Sequence, residues 1–346
     1  MATGLLKLTV IRLAASTTLA ALLLGVAAPI AALAQEVRVY SGRHYSSDNA
    51  LYERFTKATG IKVRLLESND SAIVERLRSE GKNSSADVLI LVDAARLANA
   101  TEMGLFQPVG SAELMRDVPL SLRDPNGRWF GLTRRVRAFV VNPKLVNPAS
   151  LKTYADLAKP ALKGKLCLRN RSSVYNQSLV ADQLILRGEP ATRSWIRGMV
   201  ANLADEVYTS DTVLARDVAR GSCGVGVINS YYVARMVSGQ NGAADKALAQ
   251  KVRIVYPNPA HVNVSGAGVT RHASNRSEAI RLIEFLTSPT AAEGFAQSGF
   301  EYPLKGFGNN PILKRFGTFK ADGVSAAQLG AKAKAAIKLM ADNGWQ

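Results

Sequence analysis

The chain has 346 residues, of which 47% are hydrophobic and 21% charged, and it carries a formal net charge of +17. This length is sufficient for two domains of ordinary size. A strongly basic chain raises the question of nucleic-acid binding, but its Lys and Arg residues are dispersed, with no recognisable nucleic-acid module. We therefore predict no nucleic-acid partner and attribute the charge to a solvated surface or to attraction of anionic partners.

The amino terminus has the pattern of a secretory signal peptide. Lys7 and Arg12 form a short basic region, and residues 13–34 carry no charge. Ala32-Leu33-Ala34 has the small-x-small form that signal peptidase recognises, so we predict cleavage after Ala34. An uncleaved membrane anchor is the alternative, which the cleavage site directly after the apolar run disfavours. No later apolar run reaches the ~20 residues of a membrane span, which predicts a soluble protein of the bacterial periplasm.

Strands and helices alternate along the rest of the chain. The β-α-β-α-β order after the signal peptide predicts a mostly parallel sheet with helices on both faces. The predicted strands cover residues 37–40, 61–66, 87–92, 139–141, 165–169, 224–228, 251–256 and 261–269. The predicted helices cover residues 48–59, 71–80, 94–103, 194–203, 212–220, 278–286 and 326–341, with a further helix beginning at Gln177.

Two of the extended segments, near 137–141 and 262–269, have the pattern of strands that pass between two lobes. The sequence therefore predicts two discontinuous lobes. We predict an N-terminal lobe of residues 35–136 plus about 265–305, and a C-terminal lobe of residues 137–264 plus about 306–346.

The two cysteines suggest a disulfide bond. An even number of cysteines in an exported chain favours pairing. Cys167 falls in the predicted strand at 165–169, and Cys223 begins the extended segment Cys223-Gly224-Val225-Gly226-Val227, which could be its neighbour. Neither cysteine has a second Cys or His at metal-ligand spacing, so a metal site at these residues is disfavoured.

Candidate binding residues follow three of the predicted strands. Ligands of open α/β sheets bind beyond the carboxyl ends of the strands. His44 and Tyr45 follow the first strand, Tyr175 follows the strand at 165–169, and Tyr231 and Tyr232 follow the strand at 224–228. A single tyrosine at such a place is usually a packing residue, so the convergence of four carries the prediction. The other six tyrosines are predicted to pack: Tyr40, Tyr52, Tyr154, Tyr208, Tyr256 and Tyr302.

Clustered phenol groups indicate a highly charged metal ion. A free phenol has a pKa near 10, and a bound cation can displace its proton. Fe(III) best matches several hard oxygen donors, whereas zinc and copper prefer nitrogen and sulfur donors, which three His and two Cys make scarce here. Calcium requires carboxylates, and only Asp48 lies close in sequence. The sequence therefore favours Fe(III) as the ligand.

The charge of such a site calls for an arginine. Four phenolates around Fe(III) leave one net negative charge, and a neutral His44 would not change it. A guanidinium group would balance this charge and donate hydrogen bonds to the phenolate oxygens. Arg135 and Arg235 are the candidates, and Arg134 or Arg137 could serve instead.

Four sequence motifs are distinctive, and the first three contain the candidate tyrosines: Arg43-His44-Tyr45-Ser46-Ser47-Asp48, Tyr175-Asn176-Gln177-Ser178, Asn229-Ser230-Tyr231-Tyr232 and His261-Val262-Asn263-Val264-Ser265-Gly266. Together they resemble the signatures of the bacterial periplasmic ferric-iron-binding proteins of the Fbp and Fut group. The resemblance extends over essentially the whole chain after the signal peptide.

The resemblance implies the two-lobed type II periplasmic-binding-protein fold, an α/β fold whose lobes close around the ligand. It also implies that Tyr45, Tyr175, Tyr231 and Tyr232 bind Fe(III). The residue matching His44 is a ligand in some members only, so its role is left open. Some members hold a carbonate anion with an arginine, which a full set of four tyrosines makes less necessary. The implied partners are an inner-membrane ABC permease and its ATPase, and we predict a monomer.

Two other functions are alternatives to ferric-iron binding. The same fold could bind a small organic ion such as thiamine, a polyamine or a sulfonate, with the tyrosines forming a cation–π cage. Such cages usually include Trp, and the three tryptophans do not follow the strand ends. An exported enzyme is disfavoured because the chain has no Gly-x-Ser-x-Gly, no His-Glu-x-x-His and no plausible pair of acids. Whether the iron arrives bare or chelated, and as Fe(III) or Fe(II) in the cell, stays open.

Overall fold

The computed structural model describes Met1 and residues 35–43, 45, 48–205 and 207–346. The predicted signal peptide, its cleavage site after Ala34, and His44 lie outside the described residues. Within the described part of the chain, no helix is both long enough and apolar enough to cross a membrane.

Eight strands and twelve helices make up the described fold, and short 3-10 turns connect several of them. The strands are β1 (Glu36–Ser41), β2 (Lys62–Glu67), β3 (Val88–Val92), β4 (Phe130–Val141), β5 (Leu166–Cys167), β6 (Val225–Asn229), β7 (Arg253–Val255) and β8 (Val262–Val269). The helices are α1 (Asn49–Thr59), α2 (Asp70–Glu80), α3 (Ala94–Glu102), α4 (Ala112–Asp117), α5 (Val174–Ala201), α6 (Asp211–Arg220), α7 (Ser230–Ser238), α8 (Ala243–Ala249), α9 (Arg276–Thr287), α10 (Pro289–Ser298), α11 (Pro311–Phe316) and α12 (Ala326–Asp342).

The described strands form one mixed sheet in the order β2-β1-β3-β8-β4-β6-β5, with β7 beside β4. Strands β1, β2 and β3 pair in parallel, as do β5 and β6, while β8 and β4 run antiparallel to all their partners. The predicted α/β class is confirmed, although the sheet is more evenly mixed than the opening β-α-β pattern indicates. The antiparallel strands are the two that were predicted to pass between lobes.

Strand β4 changes partners along its length. Its first part, Phe130 to Val136, pairs with β8, and its last part, Arg137 to Val141, pairs with β6 and β7. All but one of the residues of β4 are buried, as are all those of β3, β6 and β8. Strands buried on both faces are typical of a sheet covered by helices. The proposed lobe boundaries stay a prediction.

Two tryptophans are structural residues of the core. The indole N–H of Trp195 donates to the Tyr154 carbonyl (2.7 Å), and that of Trp345 donates to the Arg169 carbonyl (2.8 Å). Both side chains are buried. A buried indole needs a partner for its N–H group. Both indoles have such a partner in the backbone, so these two residues are part of the packed core.

Helix α5 differs from its prediction. The sequence predicts separate helices from Gln177 and over 194–203, whereas the structure has helical residues from Val174 to Ala201, interrupted at Gly188. Gly188 has φ 74° and ψ 169°, a conformation that glycine adopts without steric cost. Helix α7 was not predicted. It has only nine residues and follows β6 without a linker, so the sequence carries no turn to signal its start.

The predicted disulfide is confirmed. Cys167 at the end of β5 is bonded to Cys223, which lies just before β6, and their Cα atoms are 6.1 Å apart. The pairing of β5 with β6 brings these two segments of the chain side by side. The bond therefore closes the loop that contains α5 and α6.

Replacing both Cys167 and Cys223 with serine is expected to lower the free energy of unfolding by about 2–4 kcal/mol. The bond closes a loop with a sequence separation of 56 residues, and its loss restores chain entropy to the unfolded state. Urea denaturation monitored by circular dichroism measures the change. A reducing agent should destabilise the wild type by a similar amount and leave the double serine variant unaffected. Equal stability of all four samples would contradict the prediction.

Candidate metal centre

The four predicted tyrosines lie at three strand–helix junctions. Tyr45 follows β1, Tyr175 is the second residue of α5, and Tyr231 and Tyr232 are the second and third residues of α7. Tyr231 is buried and the other three are partly exposed. We call these four residues the tyrosine cluster. Three of them sit in the first turn of a helix, where the helix dipole favours negative charge.

The phenol groups of the tyrosine cluster lie close enough together to raise one another's pKa values. Burial raises the pKa of Tyr231 well above its usual value, and the neighbouring Tyr175, Tyr232 and Tyr45 raise it further. Burial and then Tyr175 likewise raise the pKa of Tyr232. The rings of Tyr231 and Tyr232 are 4.4 Å apart. In the protein without a ligand, therefore, the phenols of Tyr231 and Tyr232 are protonated at neutral pH, and a cation must displace their protons.

Tyr45 shares the electrostatic environment of the other three tyrosines. Burial raises its pKa, and the charges of Glu301 and Tyr175 add to this effect. The guanidinium groups of Arg43 and Arg235 act in the opposite direction and lower the pKa. Tyr45 thus belongs to the same cluster as Tyr175, although 130 residues of sequence separate them.

Both predicted arginines contact the tyrosine cluster. The guanidinium carbon of Arg135 lies 5.3 Å from the centre of the Tyr175 ring, and that of Arg235 lies 4.3 Å from the Tyr45 ring and 4.9 Å from the Tyr231 ring. Arg135 is buried and donates through Nη2 to the Val264 carbonyl (2.9 Å). Its Nε and Nη1 groups find no hydrogen-bond acceptor among the described residues. These two N–H groups remain available to a ligand.

Of the two alternative arginines, only Arg137 approaches the tyrosine cluster. Its guanidinium carbon is 5.8 Å from the Tyr175 ring, and it forms a buried ion pair with Asp211 (2.8 Å). It also donates to Asn176 of the Tyr-Asn-Gln-Ser motif (2.9 Å), which explains the amide at that position. Arg134 makes its ring contacts with phenylalanines outside the cluster, at 5.5 and 5.9 Å.

Sequence analysis missed two further guanidinium groups. Arg169 lies 5.6 Å from the Tyr175 ring, and Arg43 lies 4.8 Å from the Tyr45 ring. Both occur beside predicted strand ends, so the rule that selected the tyrosines could also have selected them. Counting Arg135, Arg137 and Arg235, five arginines surround the cluster among the described residues.

A buried ionic network supports the tyrosine cluster on the side of Tyr45. Arg43 pairs with Asp48 (2.8 Å) and with Glu301 (2.6 Å), and all three side chains are buried. Glu301 also accepts a hydrogen bond from Thr133. Burial acts to raise the pKa of Glu301, but the charges of Arg43 and of Arg135 outweigh it and lower the pKa below its usual value.

This network engages the carboxylate that a calcium site would need. Asp48 accepts from the Nε group of Arg43 and is buried, so it is held as the partner of an arginine. Glu301 could not be predicted as part of this region. It lies 258 residues from its partner Arg43, in a segment without a motif.

Comparison with known proteins identifies the family. The family model for bacterial extracellular solute-binding proteins matches residues 50–319. The chain is 44% identical to iron uptake protein A1 of Synechocystis over 317 residues, which cover 90% of this chain and 88% of that protein. It is 31% identical to the Fe(3+)-binding periplasmic protein of Serratia marcescens, over 93% of this chain and 94% of that protein.

A solved structure agrees with these relatives. Trichodesmium FutA in complex with iron and citrate superposes with a TM-score of 0.86 at 41% identity, covering 90% of this chain and all of that one. This likeness confirms the two-lobed periplasmic-binding-protein fold. The relatives are iron-binding transport proteins, which confirms the prediction that the chain is not an enzyme. The chain belongs to the bacterial extracellular solute-binding proteins, in the Fut and Fbp group of ferric-iron-binding proteins.

Proposed function

We propose that this protein captures Fe(III) in the periplasm through the phenolate oxygens of Tyr45, Tyr175, Tyr231 and Tyr232. The observation that carries the proposal is the convergence of these four side chains from three separate strand–helix junctions. The relatives support it, since the Synechocystis protein is an iron uptake protein and the Serratia protein binds Fe(3+).

The electrostatics of the tyrosine cluster favour a trivalent cation. Burial and mutual repulsion keep the phenols of Tyr231 and Tyr232 protonated, and a cation must supply enough attraction to remove their protons. Four phenolates with Fe(III) carry one net negative charge. The nearby guanidinium groups of Arg135 and Arg235 offset that charge. A divalent cation supplies less of that attraction than a trivalent one.

A fifth ligand beside the four tyrosines is proposed from its position in the sequence. His44 precedes Tyr45, and we propose it as the fifth ligand. Four phenolates already supply the anionic donors, so a carbonate anion is not required. The unpartnered N–H groups of Arg135 could instead bind the acid groups of a ferric chelate, and either form of the cargo fits this proposal.

Titration of the purified protein with ferric citrate tests the proposal. Phenolate-to-iron charge transfer gives a visible band, so the protein should turn orange to red and bind one iron per chain by elemental analysis. Dithionite should bleach the colour by reducing the iron. A protein that stays colourless and retains no iron after gel filtration would refute ferric-iron binding.

An organic cation is a poorer fit to the same site. Thiamine or a polyamine would face five guanidinium groups around the cluster. An organic anion such as a sulfonate would suit the arginines but would give the four phenols no role as anionic donors. Isothermal titration with thiamine, spermidine and taurine, each without iron, should therefore give no binding.

Delivery to an importer completes the proposed function. A periplasmic binding protein of this fold would hand its iron to an inner-membrane ABC permease with its ATPase, and would act as a monomer. The family model and the periplasmic Serratia relative support the role of a binding protein for an importer. Deleting the gene should abolish ferric-citrate-dependent growth under iron limitation, and a chain without residues 2–34 should fail to restore it.

Replacing Arg235 with glutamine is expected to weaken Fe(III) binding by about 10–100-fold at neutral pH. Arg235 lowers the pKa of Tyr45, so its removal makes the phenol harder to deprotonate. The pH at which half the protein carries iron should therefore rise, as read from the visible band. Arg216→Gln is the matched control, because Arg216 pairs with Asp245 (2.7 Å), not with a tyrosine. An unchanged pH midpoint would show that Arg235 does not act on the cluster.

A further inference from the structure

A second group of metal-ligating side chains lies outside the tyrosine cluster. Asp182 is on α5, His261 immediately precedes β8, and Asp322 lies in the segment before α12. Their side chains are 0%, 0% and 3% exposed. Three elements that are distant in sequence therefore place a histidine and two carboxylates in one buried position.

The imidazole of His261 faces both carboxylates without a direct hydrogen bond to either. His261 Nδ1 lies 3.6 Å from Asp182 Oδ1 and 3.9 Å from Asp322 Oδ2. These separations exceed hydrogen-bond distance. Those two oxygens and both ring nitrogens find no partner among the described residues. Leaving buried polar groups unpaired costs free energy, particularly when the groups are charged. A ligand that binds all of these atoms would remove that cost.

The other oxygen of each carboxylate is held in place. Gln183 Nε2 donates to Asp182 Oδ2 (2.9 Å), and the Val324 backbone N–H donates to Asp322 Oδ1 (2.8 Å). The backbone N–H of His261 donates to the Tyr154 hydroxyl (3.0 Å). Supporting hydrogen bonds of this kind orient the ligands of metal sites. They turn the unpartnered oxygens toward the imidazole.

Charge and geometry together suit a divalent cation. Two carboxylates and a neutral imidazole with a divalent ion form an electroneutral group, which is the least costly charge state for a buried site. Ligands about 2.1 Å from a tetrahedral zinc ion lie about 3.4 Å apart, so the two separations from His261 Nδ1 need to contract by only a few tenths of an ångström. All three ligand atoms lie within 4.8 Å of one another. Calcium would require six to eight oxygen ligands, more than this group offers.

We infer that Asp182, His261 and Asp322 form a second metal site, which binds a divalent first-row cation such as zinc. The ion joins α5, the start of β8 and the segment that leads into α12. That segment already pairs with the chain before β8, where the Asp322 N–H donates to the Ala260 carbonyl (3.1 Å). The site is closed to solvent, so its ion stabilises the fold and is not cargo.

Refolding with and without zinc tests this site. Wild-type protein is denatured in the presence of EDTA, refolded with or without zinc chloride, and passed through gel filtration. We expect about one zinc per chain by elemental analysis and a higher thermal unfolding midpoint in the zinc sample. Because its ligands must lose protons to bind the ion, the effect should be larger at pH 8 than at pH 6.

Variants separate this site from the tyrosine cluster. Tyr175→Phe/Tyr232→Phe should retain the zinc, since its altered residues belong to the cluster, whereas Asp322→Asn should lose both the zinc and the stabilisation. His272→Gln is the matched control, because His272 is exposed. A wild type that refolds without retaining zinc and gains no stability from it would overturn the proposal. The three side chains would then interact only through the protons that they share. This outcome does not depend on whether the variants fold.

Discussion

Replacing Tyr175 and Tyr232 together with phenylalanine is expected to weaken Fe(III) binding by more than about 100-fold. Altering a single supporting residue of a metal site typically costs 10–100-fold, and this variant removes two direct donors. Phenylalanine keeps each ring in place, so the stacking of Arg135 on residue 175 is preserved. The loss therefore reports the phenolate oxygens and not the packing of the site.

The measurement is a competition with citrate, followed by the visible charge-transfer band. The double variant should lose most of the band at a citrate concentration that leaves the wild type fully coloured. Tyr40→Phe serves as the control, because Tyr40 is a buried tyrosine of β1 whose hydroxyl donates to Glu80 at 3.0 Å. Full affinity and unchanged colour in the double variant would show that the ligand assignment is wrong.

The sequence predicted the tyrosine cluster because its members obey a local rule. Each follows a strand that an apolar run makes visible, and the carboxyl ends of neighbouring strands meet at one region of an open sheet. That rule alone is sufficient to predict the positions of Tyr175 and Tyr231, without further knowledge of the tertiary fold. The disulfide was predictable for the same reason, since Cys167 and Cys223 lie in or beside adjoining strands.

The partners of the cluster could not be predicted in this way. Glu301 reaches Arg43 across 258 residues, and no periodicity or motif signals that contact. The same holds for His261, whose only sequence signal is a family motif, and for Asp322, which no pattern distinguishes. Both meet Asp182 only after three separate elements have packed. Long-range polar contacts depend on the folded arrangement, which local patterns do not encode.

The ionic network beside Tyr45 makes the second large prediction possible. Glu301 is 1% exposed, and it is one of the two carboxylates that pair with Arg43, the other being Asp48. Its negative charge also acts on two other groups, because it raises the pKa of Tyr45 and helps to raise that of Arg135. Removing the charge should therefore affect stability and iron binding in opposite directions.

Glu301→Gln is expected to lower the free energy of unfolding by about 1–3 kcal/mol, because the buried charge of Arg43 loses one of its two carboxylate partners and keeps only Asp48. The folded pKa of Glu301 lies below its usual value, so the wild type holds this contribution at neutral pH and loses it as the pH falls through the folded pKa. Denaturation of the two proteins at pH 7 and under acid should show the difference narrowing.

The same variant should bind iron at lower pH than the wild type does. Without the negative charge of Glu301, the pKa of Tyr45 falls and the phenol loses its proton more readily, which is the reverse of the effect expected for Arg235→Gln. Glu284→Gln is the control, since Glu284 accepts from Ser111 (2.6 Å) outside the network. A Glu301→Gln protein with wild-type stability, or with its pH midpoint for iron shifted upward, would contradict the assignment of Glu301 to both roles. The opposed signs of the two effects distinguish an electrostatic role from a general loss of structure, which would weaken folding and iron binding together.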